Sequence, residues 1–120
     1  MTSTDPKRGT FIDTSAIEPR SPIPGWAGRF VNSENMTFVY WDVEDGAQSI
    51  HEHEHIQEEV WHVIEGELEV TIDGVSRKAR AGSVAIVPPN TRHSVRALSR
   101  SRVIVVDYPI REAFGMPASE

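Results

Sequence analysis

Turn signals stand at Gly66, Asp73-Gly74, Ala81-Gly82 and Pro88-Pro89, and the runs between them hold only five or six residues. Runs that short cannot carry a stable helix, but they are ordinary strand lengths. Glu67-Leu68-Glu69-Val70-Thr71-Ile72 alternates with period two, so Leu68, Val70 and Ile72 belong on a buried face and Glu67 and Glu69 in water. Asp73-Gly74 is a two-residue hairpin signal, because both turn positions need positive φ. Val75–Arg80 returns, Ala81-Gly82 reverses, and Ser83-Val84-Ala85-Ile86-Val87 is a strand stopped by Pro88-Pro89.

The same grammar extends in both directions. Arg29-Phe30-Val31-Asn32 and Met36-Thr37-Phe38-Val39-Tyr40-Trp41-Asp42-Val43 are rich in aromatic and β-branched residues. Residues 59–64, 93–97 and 102–108 complete the set, and Val103-Ile104-Val105-Val106 is apolar on both faces, as a strand between layers should be. Only residues 111–114 suggest a turn of helix. Many short strands with regular turns predict an all-β fold, a sandwich or barrel, in one domain of 120 residues. The barrel is expected over 26–114 and a frayed C-terminus over 115–120. Residues 1–25, punctuated by Pro6, Pro19, Pro22 and Pro24, read as an N-terminal arm whose Thr10-Phe11-Ile12 piece could pair with a sheet edge.

A net charge of −6 speaks against nucleic acid and against an anionic membrane surface as partners, since both demand clustered Lys and Arg. No apolar run reaches the length of a membrane span, and the first nine residues lack the apolar core of a signal peptide, so a cytoplasmic location is expected. Cysteine is absent, which removes disulfides, thiolate ligands and thiol nucleophiles together. Any metal must be held by imidazole, carboxylate, amide or water.

His51, His53 and His55 alternate with acids, and on one strand their imidazoles would share a face. Glu59 follows four residues after His55, within reach of a short connection. His93 is distant in sequence but opens another strand just after the Pro-Pro turn. Mixed imidazole and carboxylate ligands suit one divalent transition metal (Mn, Fe, Ni, Co or Zn), with positions left for water and substrate. Three neutral His and one carboxylate leave such a centre cationic and a useful Lewis acid toward anionic oxygen.

These residues resemble the two motifs of the cupins. The first motif is Gly, a short gap, His-x-His, three or four residues, Glu, six residues and Gly. His53-Glu54-His55, Glu59 and Gly66 fit it. The second is Gly, five residues, Pro-x-Gly, two residues, His, three residues and Asn. Gly82, Pro88, Asn90 and His93 match it, after an inter-motif stretch of residues 67–81. The resemblance covers about residues 44–108. It implies a double-stranded β-helix, the RmlC-like jelly-roll barrel, often a homodimer, with a metal held by His53, His55, Glu59 and His93. Gly46 stands one residue further from His53 than usual, Asn90 replaces a Gly, and Ala97 replaces an Asn. His51 offers a competing register, His51-x-His53 with Glu58, but only His53 and His55 keep the count from Glu59 to Gly66.

Trp61 shares strand parity with Glu59 and could line the pocket, as could His51, Met36 and Tyr40. His62 has the opposite parity. Arg92, Arg96, Arg100 and Arg102 could attract a carboxylate, or could simply form a solvated edge that discourages aggregation. Pro109-Ile110-Arg111-Glu112 resembles the tail of small cupins that ketonise unsaturated uronates, although the first motif of those proteins often has Gln where Glu59 stands. The expected function is a metal-dependent enzyme acting on a small oxygen-rich molecule (a sugar acid, keto or carboxylate compound) by isomerase or lyase chemistry through an enolate. A dioxygenase and a non-catalytic ligand-binding cupin are the alternatives.

Overall fold

A computed structural model of the chain describes residues 9–49 and 54–111. Nine strands follow in order: β1 (Arg20–Ile23), β2 (Trp26–Asn32), β3 (Thr37–Val43), β4 (Glu58–Glu65), β5 (Glu67–Ile72), β6 (Val75–Arg80), β7 (Val84–Val87), β8 (His93–Ala97) and β9 (Ser101–Tyr108). They form a six-stranded sheet, β1-β2-β3-β9-β4-β7, and a three-stranded sheet, β6-β5-β8. All named pairings are antiparallel. This is the all-β arrangement that the turn spacing predicted, in the jelly-roll form that the cupin resemblance implied.

The core lies between the sheets. Along β3 the burial alternates, with Thr37, Val39, Trp41 and Val43 inward and Phe38, Tyr40 and Asp42 outward. Leu68 and Val70 of β5 and Val95 and Ala97 of β8 meet Trp61, Val63, Val103 and Val105 from the large sheet. Trp26 stacks edge-on against both Trp41 and Trp61, at centroid distances of 5.4 and 6.0 Å. Such contacts add to the burial of large rings.

The stretch read as an arm contributes to the large sheet, since Arg20–Ile23 pairs with β2. Pro22 is tolerated there because an edge strand leaves half its N–H groups unpaired. Thr10-Phe11-Ile12 forms no strand, and Phe11 is 92% exposed. A 3-10 turn, Thr14–Ala16, is capped by the Asp13 side chain. Of the helical turn expected at 111–114, only Arg111 lies within the described residues, and it is not helical.

Two turns set the geometry of the site. Gly66 adopts φ +87°, and a Cβ there would strike Ser101 and the Arg100 carbonyl. Only glycine fits so close an approach. Asn90 adopts φ +56° where the cupin pattern has Gly, a conformation Asn tolerates. Its N–H donates to the His55 carbonyl at 2.7 Å, tying the turn before β8 to the segment before β4. Residues 35 apart in sequence are thereby brought side by side.

Candidate metal centre

Strand parity delivers the site. Glu59 and Trp61 point inward from β4, and His93 points inward from the first position of β8. His55 reaches in from the segment just before β4. One ligating atom from each of His55, Glu59 and His93 lies within 4.8 Å of the others. His93 Nε2 is 3.2 Å from Glu59 Oε1, and His55 Nε2 is 3.5 Å from Glu59 Oε2. The two imidazoles stand perpendicular with centroids 5.0 Å apart.

The groups around this triad fix its orientation. The His93 Nδ1–H donates to the Thr91 carbonyl at 2.9 Å, which directs Nε2 into the site. Trp61 Nε1–H donates to Glu59 Oε1 at 2.6 Å. Arg111 lays a guanidinium nitrogen 3.2 Å from Glu59 Oε2 and 3.6 Å from an oxygen of Asp107. Asp107 is the direct cross-strand partner of Glu59, and both are completely buried.

Two carboxyls so close and so dry do not ionise together. Burial alone would raise Glu59, but hydrogen bonds from His55, His93 and Asp107 and the Arg111 charge outweigh it and hold its carboxyl well below the usual range. Asp107 takes the opposite course. Burial, its hydrogen bond to Glu59 and the Glu59 charge push it up to about 9. Burial lowers the His93 imidazole, yet the hydrogen bond to Glu59, the Thr91 carbonyl and the Glu59 charge together raise it.

The donor set fits a divalent cation. With Nδ1–H committed to Thr91, a neutral His93 would present its Nε2 lone pair to a carboxylate oxygen at 3.2 Å. That contact is favourable only with a positive centre between the two atoms, either a proton or a metal ion. Two imidazole nitrogens and one carboxylate oxygen are the mixed ligands that first-row divalent metals accept. His53 and His51 both lie outside the described residues, so the structure does not describe the fourth expected ligand or its competitor.

The other sequence candidates divide. Trp61 reaches the site and grips Glu59. Tyr40 does not: it lies on the outer face of the large sheet, where it lines a groove of about 280 Å³ with Arg29, Asp42, Arg102 and Ile104. The expectation that Tyr40 lines the pocket is corrected by the inward parity of its neighbours Val39 and Trp41. Met36 sits in the β2–β3 turn, its carbonyl accepting from the Ser33 N–H, and shares the parity of Phe38 and Tyr40. His62 is exposed on the outer face, and Arg96 and Arg102 form surface ion pairs with Glu69, Asp42 and Glu65. Asp107 was missed, although its signal was present. It is an acid at the inward parity of Val103 and Val105, directly after the apolar run Val103-Ile104-Val105-Val106.

Known proteins share this architecture. The chain aligns over 87% of its length with an RmlC-like cupin from Shewanella frigidimarina, at 27% identity and a TM-score of 0.81, covering 94% of that chain. KdgF from a Halomonas species gives 25% identity, a TM-score of 0.80 and coverage of 87% and 96% respectively. Oxalate decarboxylase from Bacillus subtilis, a protein with Mn(II) centres, matches at 25% identity and a TM-score of 0.71, over 82% of this chain but 29% of its own. No curated protein sequence gives a match. The model of the cupin domain family matches residues 39–108, a span that holds every one of the described ligand candidates, and with both motifs folded onto one centre the chain belongs to that family.

Proposed function

We propose that this cupin is a divalent-metal-dependent enzyme that moves protons on a small oxygen-rich substrate: a sugar acid, keto or carboxylate compound. The single observation that supports this reading is the convergence of His55, Glu59 and His93 with a further buried carboxyl, Asp107, placed directly across from Glu59. A ligand set alone would serve capture or structure. A carboxyl beside it, outside the donor set, gives proton chemistry a carrier.

When bound, the metal would supply Lewis-acid stabilisation to an oxyanion developing on the substrate. His93 is aimed by Thr91, and Glu59 is held by Trp61, so their donor atoms need little reorganisation. Asp107 holds or accepts a proton at a carboxyl oxygen. Its surroundings are dry, since its cross-strand partners Thr37 and Glu59 are both buried. The tail resemblance to small cupins that ketonise unsaturated uronates favours isomerase or lyase chemistry over oxygenation. His53 completes the proposed ligand set.

The test is a turnover screen of Mn-loaded protein against unsaturated uronates, hydroxy acids and keto acids, followed by proton NMR. Product formation lost in Asp107→Asn supports the reading. Oxygen consumption would favour a dioxygenase, and tight binding without product would make the protein a ligand-binding cupin.

The homodimer is proposed on the outer face of the large sheet. Register places Val31, Phe38, Val106, Val60 and Ile86 in one outward row and Arg29, Tyr40, Ile104, His62 and Val84 in the next. Val84 and Ile86 are more than half exposed. The small sheet instead turns charged residues such as Lys78, Arg80, Glu69 and Arg96 outward. The first of these rows is apolar throughout, and an apolar strip of that kind is what a second copy covers. Light scattering should give a dimer that Ile86→Lys converts to monomer.

A further inference from the structure

Arg111 has no place in the three-donor cluster, yet it touches both of the site's buried carboxyls, Glu59 at 3.2 Å and Asp107 at 3.6 Å. Its backbone is fixed independently of that side chain. The Arg111 N–H donates to Thr37 Oγ1 at 2.9 Å, and the preceding carbonyl, of Ile110, accepts from Gln57 Nε2 at 3.2 Å. The main chain is pinned to the rim while the long side chain reaches inward. An open depression of about 470 Å³ adjoins this rim, lined among the described residues by Glu34, Asn35, Gln57, Pro109 and Ile110. The Arg111 side chain is itself one-fifth exposed, so it lies at the boundary between the buried centre and that opening.

The guanidinium meets the same oxygen, Glu59 Oε2, that His55 Nε2 approaches at 3.5 Å. A buried carboxylate needs a compensating cation, and Arg stays charged at any relevant pH. A divalent ion held by His55, Glu59 and His93 would supply that compensation itself. It would also repel a guanidinium lying against the same carboxylate. We infer that Arg111 is the cation that balances Glu59 before metal enters, and that metal entry releases it toward the rim to bind the carboxylate of the substrate. This inference rests on the metal-dependent reading above and adds to it a substrate requirement: an acid whose carboxylate stands apart from the oxygen that approaches the metal. A planar fork of N–H donors is well matched to such a carboxylate.

The experiment is calorimetric titration of the full chain with Mn²⁺, then of each Mn-saturated protein with levulinate, whose keto oxygen and carboxylate stand three carbons apart. Wild type, Arg111→Gln, Arg111→Met and Arg111→Lys are compared, with circular dichroism as the check on folding. Both neutral variants should bind Mn²⁺ at least fivefold more tightly than wild type and levulinate at least tenfold more weakly. Two neutral substitutions are used so that a folding failure of one leaves the other to read. Arg111→Lys keeps the charge and should bind Mn²⁺ as wild type does. Unchanged or weaker Mn²⁺ binding in the neutral variants, or unchanged levulinate affinity, overturns the inference while leaving the metal site intact. A wild-type chain that takes up no Mn²⁺ overturns the metal-dependent reading and this inference with it.

Discussion

Glu59 and Asp107 face each other across β4 and β9, both sealed from solvent, and their carboxyls are driven in opposite directions, Glu59 toward the anion and Asp107 toward the neutral acid. Glu59 is kept ionised by its hydrogen bonds and by Arg111, while Asp107 retains its proton up to about pH 9. The pair behaves as a single buried acid with one proton and one negative charge.

This asymmetry should be visible in metal-free protein. Asp107 binds its proton more tightly folded than unfolded, so the stability it contributes is complete below the ordinary carboxyl range and drains away as pH rises toward about 9. Glu59 works in the opposite direction, but only at pH values below its ordinary range. Between pH 5 and 8, Asp107→Asn should therefore gain on wild type by up to about 1.4 kcal/mol per pH unit, since asparagine has no proton to lose. Urea denaturation in the presence of chelator, at four pH values, measures the difference. Parallel curves would contradict the assignment of the proton to Asp107.

Metal binding should stabilise only the folded chain, because the donors converge from segments far apart in sequence. Free metal at a hundred times its Kd is expected to add about 2.7 kcal/mol, or roughly 10 °C in Tm, and chelator should remove it. His93→Ala should weaken metal uptake by at least about a hundredfold, whereas His51→Ala should leave it within about threefold of wild type. Equal losses would show that the ligand register begins at His51.

Trp61 acts on the centre through one hydrogen bond. Trp61→Phe keeps an aromatic ring in the core but removes the donor to Glu59 Oε1. Metal affinity should fall about tenfold or more. Stability should drop by about 1.5–3 kcal/mol, the worth of a hydrogen bond to a charged group. Unaltered affinity by chelator competition would reduce Trp61 to a core residue.

The two motif glycines should differ in their tolerance of a methyl group. Gly66 and Gly82 both have positive φ, but a Cβ at Gly66 collides with Ser101 and the Arg100 backbone, while at Gly82 nothing lies within 4 Å. Gly82→Ala should cost about 1 kcal/mol from backbone strain alone. Gly66→Ala should cost more than about 3 kcal/mol, because backbone must move. Thermal denaturation of both variants decides it.

The strands were legible because their signals are local. Period-two burial in Glu67–Ile72, the Asp73-Gly74 reversal and the stop at Pro88-Pro89 each depend on a few adjacent residues, and the structure follows them. The cupin resemblance also grouped His55, Glu59 and His93 before any fold was known, and the structure brings these three side chains together. Arg20–Ile23 was less visible, because three prolines in and beside a short edge strand (Pro19, Pro22 and Pro24) imitate a loop.

Tertiary structure decided which charges share the buried space. Nothing near Asp107 in the sequence marks Glu59 as its neighbour, 48 residues earlier. Only the antiparallel register of β4 on β9 makes them adjacent, and only joint burial separates their protonation. Arg111 enters for the same reason: a guanidinium finds two carboxyls because the start of β4 lies against the end of β9 and the residues that follow it. Local periodicity selects strands and faces, whereas electrostatic partnership depends on distance through space, and that is set when the sheets close.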